Sequence, residues 1–314
     1  MSSTATDFTG QVAVVTGAGR GLGSGYARFL AARGASVVVN DHGTELDGEG
    51  FAKGPADETV DAIHAGGGTA IANHASVAEP DGAAAIVEDA LTAFGRIDIL
   101  ICNAGVWSCQ PLEETTDAIW ARTMGVHVGG TMMAARAALP HMKAQGFGRL
   151  VFTASSGGLY GKAGLTAYGA AKGAIYGLMR CLALELSESG IDVTVNTVLP
   201  GAQTRMISAK SASLWDDRPG LADPDHVVPL VAFLASAACR DNGRAYSAGG
   251  GYFARDEAVQ GAGVRLPVDQ PITPDEIARH WQAINDMSQP ALFADVMDYG
   301  ARMFDLHQSC SDTR

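Results

Sequence analysis

Three side chains in the middle of this chain could together move a proton on and off an alcohol oxygen. Tyr168 and Lys172 stand four residues apart in a segment, 167–186, that we predict to be helical, so they share one helix face. Ser155 lies thirteen residues before Tyr168, where the apolar segment 149–155 ends. A phenol, an ammonium and a hydroxyl that converge suit a reaction in which a hydride leaves or joins the carbon bearing the oxygen. The Tyr-x-x-x-Lys spacing alone is weak evidence, because a packed tyrosine beside a solvated lysine has the same pattern.

A glycine-rich turn near the N-terminus strengthens that interpretation. Apolar residues at 12–15 predict a buried strand, glycines follow at 17, 19, 21 and 23, and a helix is predicted from about 22 to 33. Such glycines let a pyrophosphate approach the backbone, and the helix start offers free N–H groups to it. A second predicted strand, 35–40, leads into Asp41 at the distance where a carboxylate holds an adenosine ribose. The pattern predicts a dinucleotide site, although Asp41 could also be an ordinary turn residue.

Together these segments resemble the short-chain dehydrogenase/reductase family. The matching motifs are Thr16-Gly-Ala-Gly-Arg-Gly-Leu-Gly23, Asn103-Ala-Gly105, Ser155, Tyr168-x-x-x-Lys172 and Pro200-Gly201, in the family's order and spacing. A closer resemblance is to the dehydrogenase unit of the peroxisomal multifunctional beta-oxidation enzymes. It is carried by the glycine-studded insertion 42–54, His127, Tyr160-Gly161 and the tail segment 271–276 with Trp281.

The resemblance implies roles for the polar side chains. Tyr168 is the general acid/base, Ser155 orients the substrate oxygen, and Lys172 also holds the nicotinamide ribose. The ordinary pKa of tyrosine is about 10, so a base near neutral pH needs a pKa lowered by roughly 2–3 units, which a nearby ammonium favours. His127 stands where most relatives have an asparagine whose backbone holds a water; its ring is either packed or a proton relay.

The resemblance also implies a set of cofactor contacts. These are Gly17, Gly19, Arg20, Gly21, Leu22, Gly23, Asp41, Ser76, Val77, Asn103, Ala104, Gly105, Tyr168, Lys172, Pro200, Gly201 and Thr204. Ala75 replaces an aspartate of many relatives, so a side-chain contact to adenine is lost there. Asp41 would repel a 2′-phosphate, whereas Arg20 could bind one. We predict NAD as the cofactor, with NADP as the less favoured alternative.

The substrate has two open interpretations. Acyl-carrier and acyl-CoA reductases of the family often carry an Arg-Asp pair just after the Asn-Ala-Gly motif, and this chain has Trp107 in that stretch. The predicted pocket consists of Trp107, Gly157, Gly158, Leu159, Tyr160, Leu165, Met206 and Trp215. That wall favours a bulky hydrophobic secondary alcohol, such as a steroid, terpene or arylalkanol, and its ketone.

The alternative substrate, a 3-hydroxyacyl-CoA, follows from the closer resemblance. Its phosphates need cations, and the candidates Lys162, Arg205, Lys210 and Arg218 cannot be placed from the sequence. A remote alternative is a dinucleotide-binding protein without catalysis. No Gly-x-Ser-x-Gly elbow is present, which disfavours a hydrolase.

Composition narrows the class of protein. The 314 residues are 47% hydrophobic and 18% charged, as in a globular protein, and the net charge of −12 argues against nucleic acid as a partner. No apolar run reaches the length of a membrane span, and the polar N-terminus lacks an export core. The five cysteines are odd in number, and the cysteines and histidines lack metal-ligand spacing, so we expect reduced thiols, no metal and a cytoplasmic location.

Apolar strands alternate with helical segments along most of the chain. Further strands are predicted at 69–73, 97–102, 149–155, 192–198 and 244–248, and further helices at 56–65, 81–94, 112–144, 167–186 and 223–237. We predict an α/β, Rossmann-type, doubly wound fold, with a mostly parallel sheet of seven strands covered by helices on both faces. One domain, 1–314, would have a core at about 10–250 and a C-terminal extension, 251–314, with helices from Thr273 and from Pro290.

The resemblance implies a homodimer or homotetramer. Its interface would use the helices near 112–144 and 167–186, whose outer faces we expect to carry small residues. The residues in question are Ala134, Ala135, Ala137, Ala138 and Ala174.

Overall fold

The structure, a computed structural model, describes residues 7–208, 218 and 220–304. The chain divides into two compact units, Met1–Arg255 and Asp256–Arg314. Among the described residues, no helix is both long and apolar enough to cross a membrane.

An eight-stranded sheet organises the first unit, in the order β3-β2-β1-β4-β5-β6-β7-β8. The strands are β1 Val12–Thr16, β2 Ser36–Asn40, β3 Thr69–Asn73, β4 Ile99–Cys102, β5 Phe147–Thr153, β6 Asp192–Pro200, β7 Ala245–Gly249 and β8 Tyr252–Asp256. Each pair from β3 to β7 is parallel. The predicted doubly wound fold is confirmed, with β8 added to the seven expected strands.

Helices follow most of the strands. They are α1 Gly21–Ala32, α2 Gly54–Ala65, α3 Pro80–Phe94, α4 Asp117–Met124, α5 Gly130–Gln145, α6 Ser156–Leu159, α7 Thr166–Ser189, α8 Arg205–Ser208, α9 Val228–Leu234, α10 Pro274–Arg279, α11 Trp281–Ile284 and α12 Val296–Met303. Short 3-10 turns occupy Leu112–Glu114 and Pro224–His226. Two hydrophobic clusters hold the helices on the strands. One cluster contains Val15 and Val39, and the other contains Val14 and Leu100.

The continuous helix predicted over 112–144 is wrong. The 3-10 turn ends at Glu114 and Thr116 is extended. The Thr116 hydroxyl accepts a hydrogen bond from the N–H of Ile119 at 3.2 Å and so caps a new helix, α4. A π-helical turn, Gly125–Gly129, then separates α4 from α5, and the N–H of Gly130 donates to the carbonyl of Gly125. The spacing of apolar residues shows neither the cap at Thr116 nor the π-helical turn, so both were missed.

Two other helix predictions needed changes, at 223–237 and at Pro290, whereas the helix start at Thr273 is as predicted. The helix predicted at 223–237 is a 3-10 turn followed by α9, whose first turn contains Pro229. In the second unit, Thr273 forms the expected capping box with Glu276, although the helix is short. No helix starts at Pro290. The last described helix, α12, begins after Asp295, whose carboxylate accepts from the N–H groups of Met297 and Asp298.

The small residues expected on the outer face of α5 face the sheet instead. Ala134, Ala135 and Ala138 are buried in the core, because close packing on the sheet needs small side chains. The outward side of α7 does carry small residues, among them the exposed Ala170 and Gly177.

Candidate active site

A cavity of about 940 Å³ lies at the carboxyl ends of the central strands. Parallel strands bring their ends to one edge of a sheet, so segments far apart in sequence meet there. The predicted residues that line it are Gly17, Arg20, Gly21, Leu22, Asp41, Ser76, Val77, Asn103, Ala104, Gly105, Trp107, His127, Ser155, Gly157, Tyr160, Leu165, Tyr168, Lys172, Pro200, Gly201, Thr204 and Met206.

Ser155, from the end of β5, and Tyr168 and Lys172, from α7, converge on this cavity. Ser155 follows β5 and caps α6, where its Oγ accepts from the N–H of Gly157 at 3.1 Å. Tyr168 and Lys172 lie one turn apart on α7, and the Tyr168 hydroxyl hydrogen-bonds the Ser155 side chain. The nearly buried Lys172 donates from Nζ to the carbonyl of Thr153 at 2.7 Å, and Nζ lies 5.7 Å from the centre of the Tyr168 ring. The three groups therefore form one connected polar cluster.

Burial changes the protonation of this cluster. Burial raises the pKa of Tyr168 above its ordinary value, and the hydrogen bond with Ser155 offsets only part of that rise. Burial also lowers the pKa of Lys172 from 10.5 to about 7. The lowered pKa expected for Tyr168 is therefore absent from the chain by itself, because burial outweighs the hydrogen bond with Ser155.

His127 lies in the π-helical turn and is 1% exposed. Its Nε2 lies 2.9 Å from the carbonyl oxygen of Val106 and 3.2 Å from the backbone nitrogen of the same residue, so Nε2 has a partner in either tautomer, whereas the buried Nδ1 has none among the described residues. Burial, with the charge of Lys172, holds the pKa of His127 well below its ordinary range. The ring meets Tyr168 edge to face at 5.3 Å, and a Cβ on Gly105 would lie 2.5 Å from its Cε1. Packing thus fixes the imidazole beside Tyr168.

The glycine-rich turn has the features that a pyrophosphate requires. Gly17 and Gly21 have φ angles of +63° and +52°, which favour glycine. Helix α1 begins at Gly21, and the side chain of Arg20 makes no capping bond there. Gly17, Gly21 and Leu22 line the cavity, so the uncapped N–H groups and positive dipole end of α1 lie at its wall. These residues fit a dinucleotide.

Two polar residues hold that turn against neighbouring strands. The hydroxyl of Thr16 accepts from the N–H groups of Asn103 and Ala104, each at 3.1 Å, and the Asn103 amide donates to the carbonyls of Thr16 and Gly17. On the other side, Asp41 accepts from the N–H of Gly19 at 2.8 Å. The turn is therefore tied to both β4 and β2.

Four predicted site residues in the described part of the chain do not line the cavity. Gly19 faces Asp41 and Pro55, and Gly23 packs against the carbonyl of Gly17, where a Cβ would approach to 2.2 Å. Gly158 lets α6 approach α7 closely, and Leu159 packs against the core instead of lining the substrate pocket, because α6 turns it inward. Trp215 lies outside the described residues, as does Lys210.

The substrate end of the cavity combines apolar and basic groups. Trp107 packs against Tyr168 with ring centres 5.2 Å apart, and Tyr160, Leu165 and Met206 line the same space. Lys162 and Arg205 line it too, although sequence reasoning could not place them.

Other lining residues were missed altogether. They include Val106, Arg122 and Val126, together with His42, Thr44, Gly48, Glu49 and Gly50 from the insertion after β2. The glycines at 43, 48 and 50 were a signal that the insertion folds tightly, but no local pattern shows which segment it contacts.

Residues 11–214 match the family model described as short chain dehydrogenase. The chain belongs to the short-chain dehydrogenase/reductase family. It is therefore an oxidoreductase of a family that uses NAD or NADP, as the motifs predicted.

The relatives differ in how much of their own length this chain matches. Peroxisomal multifunctional enzyme type 2 of Drosophila melanogaster is 37% identical over 90% of this chain and 46% of its own length. The solved structure of that full-length enzyme superposes with a TM-score of 0.78 at 31% identity, covering 95% of this chain and 49% of that chain. The resemblance to the dehydrogenase unit of such enzymes is confirmed, and this chain spans less than half of that relative.

Two shorter relatives match over nearly their whole length. A short chain dehydrogenase from Mycobacterium avium superposes with a TM-score of 0.76 at 34% identity, covering 88% of this chain and 95% of that chain. Cis-4-hydroxycyclohexanecarboxylate dehydrogenase of Sinomonas cyclohexanicum is 36% identical over 79% of this chain and 98% of its own length.

Proposed function

We propose that this short-chain dehydrogenase oxidises a secondary alcohol to a ketone, and reduces it in reverse, with Tyr168 as general acid/base. The observation that carries the proposal is the connected cluster of Ser155, Tyr168 and Lys172 in the cavity that also contains the glycine-rich turn. A non-catalytic dinucleotide-binding protein would have no need of a buried lysine beside a buried tyrosine, since burying an amine costs free energy.

The residues divide the proton chemistry between them. The oxygen of Ser155 accepts the N–H of Gly157, and its O–H is shared with Tyr168 in the chain alone, so a substrate oxygen bound between the two hydroxyls can accept from Ser155. Tyr168, whose pKa burial raises, is a neutral phenol in the chain alone, and that form can protonate a ketone oxygen. Lys172, with a pKa of about 7, can exchange a proton near neutral pH and support Tyr168 when it becomes a phenolate.

NAD, when bound, supplies the hydride acceptor. Gly17, Gly21 and the start of α1 would hold its pyrophosphate, and Asp41 its adenosine ribose. Both Asp41 oxygens accept backbone N–H groups, from Gly19 at 2.8 Å and Gly43 at 2.7 Å. A carboxylate at this position repels a 2′-phosphate, so we propose NAD over NADP.

For the substrate we propose a 3-hydroxyacyl thioester of the coenzyme A type. Lys162 and Arg205 line the same cavity as Tyr168, and these cations suit the phosphates of such a carrier. The likeness to peroxisomal multifunctional enzymes supports the same class. These observations outweigh Trp107, which alone had favoured a bulky hydrophobic alcohol.

A ring-bearing secondary alcohol is the second candidate. Trp107, Tyr160, Leu165 and Met206 give it an apolar wall, and a relative is named for a hydroxylated cyclohexane ring. Unlike a coenzyme A ester, a ring alcohol brings no phosphates to the cations at the cavity.

The test compares kcat/KM for NADH formation with a 3-hydroxyacyl-CoA, a hydroxysteroid, an arylalkanol and cis-4-hydroxycyclohexanecarboxylate. We expect the coenzyme A ester to exceed the others by a hundredfold. Lys162→Gln should weaken the coenzyme A ester, and the N-acetylcysteamine analogue, which lacks phosphates, serves as the matched control. A ring alcohol that outperforms the ester would support the second candidate. Failure of all four with both NAD and NADP would overturn the dehydrogenase proposal for these substrates.

We also infer a homodimer or homotetramer that uses the outward side of α7. Its exposed residues Ala170, Gly177, Cys181 and Leu184 allow a close helix contact. The cytoplasmic location expected from the cysteines stays a prediction.

A further inference from the structure

The insertion between β2 and α2 forms a closed loop, residues 42–53. Its two ends meet where the N–H of Ala52 donates to the carbonyl of His42 at 3.2 Å. A Cβ on Gly43, at φ +72°, would lie 1.9 Å from the carbonyl oxygen of Ala52, so the closure depends on glycine. Inside the loop, the N–H of Glu45 donates to the carbonyl of Glu49 at 2.8 Å. These bonds make the 42–53 loop a compact unit instead of a loose connection.

The tip of the 42–53 loop contacts the segment that follows β4. The N–H of Trp107 donates to the carbonyl of Leu46 at 2.8 Å, and a Cβ on Gly48 would lie 2.8 Å from Val106. Glu49 forms an ion pair with Arg122 of α4. Since β1 lies between β2 and β4, the loop reaches across the strand from which the glycine-rich turn emerges.

A further contact reaches the segment after β6. Arg205 donates from Nη2 to the carbonyl of Thr44 at 3.0 Å. The loop residues His42, Thr44, Gly48, Glu49 and Gly50 line the cavity together with the glycine-rich turn. The loop is therefore attached on both sides of the predicted dinucleotide site and forms part of its wall.

We propose that the 42–53 loop is a clamp on the bound dinucleotide, held closed by the Glu49–Arg122 ion pair, and that opening of this pair limits cofactor release. The proposal rests on the proposed function, because it requires a dinucleotide in this cavity. Loops that close over a ligand often set the rate of product release. The pair is well placed for opening, because the side chains of Arg122 and Glu49 are 28% and 71% exposed, so breaking the pair leaves neither charge buried without a partner.

The experiment measures the rate of NADH release by stopped-flow fluorescence, with excess NAD as the displacing ligand. Glu49→Gln should accelerate release about two- to fivefold, the factor that an exposed ion pair provides. The charge-exchanged double variant Glu49→Arg with Arg122→Glu should return the rate toward that of the unmodified protein. Glu45→Gln, at an exposed carboxylate of the same loop, is the matched control and should leave the rate unchanged.

Salt provides a second readout that a merely structural loop would not show. Raising the ionic strength screens the pair, so release from the unmodified protein should accelerate with salt, while release from Glu49→Gln should respond far less. Equal release rates and equal salt dependence in the two proteins would overturn the clamp and leave the dehydrogenase proposal intact. Absence of any NADH binding would instead remove the proposed function itself.

Discussion

Replacement of Asp41 by alanine should damage both the empty protein and its cofactor affinity. The carboxylate accepts one N–H from the glycine-rich turn, at Gly19, and one from the 42–53 loop, at Gly43, at 2.8 and 2.7 Å. It therefore joins the two segments that flank the proposed ribose site. A contact to NAD would be added to these bonds, so part of the loss on mutation must appear even without cofactor.

The size of the loss follows from the type of bond. Hydrogen bonds to a charged group contribute about 1.5–3 kcal/mol each, and the half-buried position of Asp41 places its two bonds near the lower limit. We expect the free energy of unfolding to fall by about 3 kcal/mol in Asp41→Ala and by roughly half as much in Asp41→Asn, which keeps one acceptor oxygen. Asp47→Ala, which removes one exposed bond of 3.0 Å to Glu49, is the matched control and should cost about 1 kcal/mol or less.

Urea unfolding of the cofactor-free proteins measures the first effect, and titration with NAD and NADP measures the second. The Kd for NAD should rise about 10- to 100-fold in Asp41→Ala, with a smaller change for NADP. A cofactor-free Asp41→Ala protein as stable as the Asp47→Ala control would refute the reasoning about the two backbone bonds. Equal affinity of the unmodified protein for NAD and NADP would refute the choice of NAD.

Four further predictions concern the cluster, the substrate wall and assembly. Tyr168→Phe should lower kcat by 10²–10⁴-fold with NAD affinity nearly intact, and a variant that keeps more than about a tenth of kcat would contradict the acid/base role. Burial lowers the pKa of Lys172 to about 7, so between pH 7 and 10.5 the unfolded chain binds more protons than the folded one. The unmodified protein should therefore gain Tm relative to Lys172→Met as pH rises through that window, and a constant Tm difference would contradict the shift. Trp107→Ala should reduce kcat/KM for large ring alcohols more than for a small aliphatic alcohol, since a buried aromatic contributes up to about 3 kcal/mol; equal losses would show that Trp107 does not contact the ring. Light scattering should show an oligomer at micromolar concentration that Gly177→Glu dissociates, and a monomeric unmodified protein would exclude the α7 interface.

Local patterns predicted the strands well because buried parallel strands are short apolar runs. Both ends of β3, Thr69–Asn73, were predicted correctly. The predicted element boundaries were least accurate where a polar side chain caps a helix. The segment ending at Ser155 was extended too far, since β5 stops at Thr153 and Ser155 caps α6. Helix 112–144 failed for a similar reason at Thr116.

The motif residues of the site were also predictable, since each occupies a strand end or a helix turn that the topology brings to one edge. The contacts of the 42–53 loop were not. Its bonds to Trp107 and Arg205 join residues far apart in sequence, and two of its bonds to other segments involve backbone carbonyls, which every residue type possesses. The burial of Lys172 could not be predicted either, because a lysine one turn after a tyrosine is equally compatible with a solvated side chain.

The π-helical turn at Gly125–Gly129 divides one helical rod into two parts that are out of phase. A helical wheel drawn through α4 and α5 as one helix would assign the wrong face to one of them, because the wide turn contains an extra residue. Each residue of an α-helix advances the wheel by about 100°, so deletion of a single residue in this turn would swing Arg122 to a different side. A chimera that joins α4 of one relative to α5 of another must therefore keep the number of residues in this turn, which matters more than their identity.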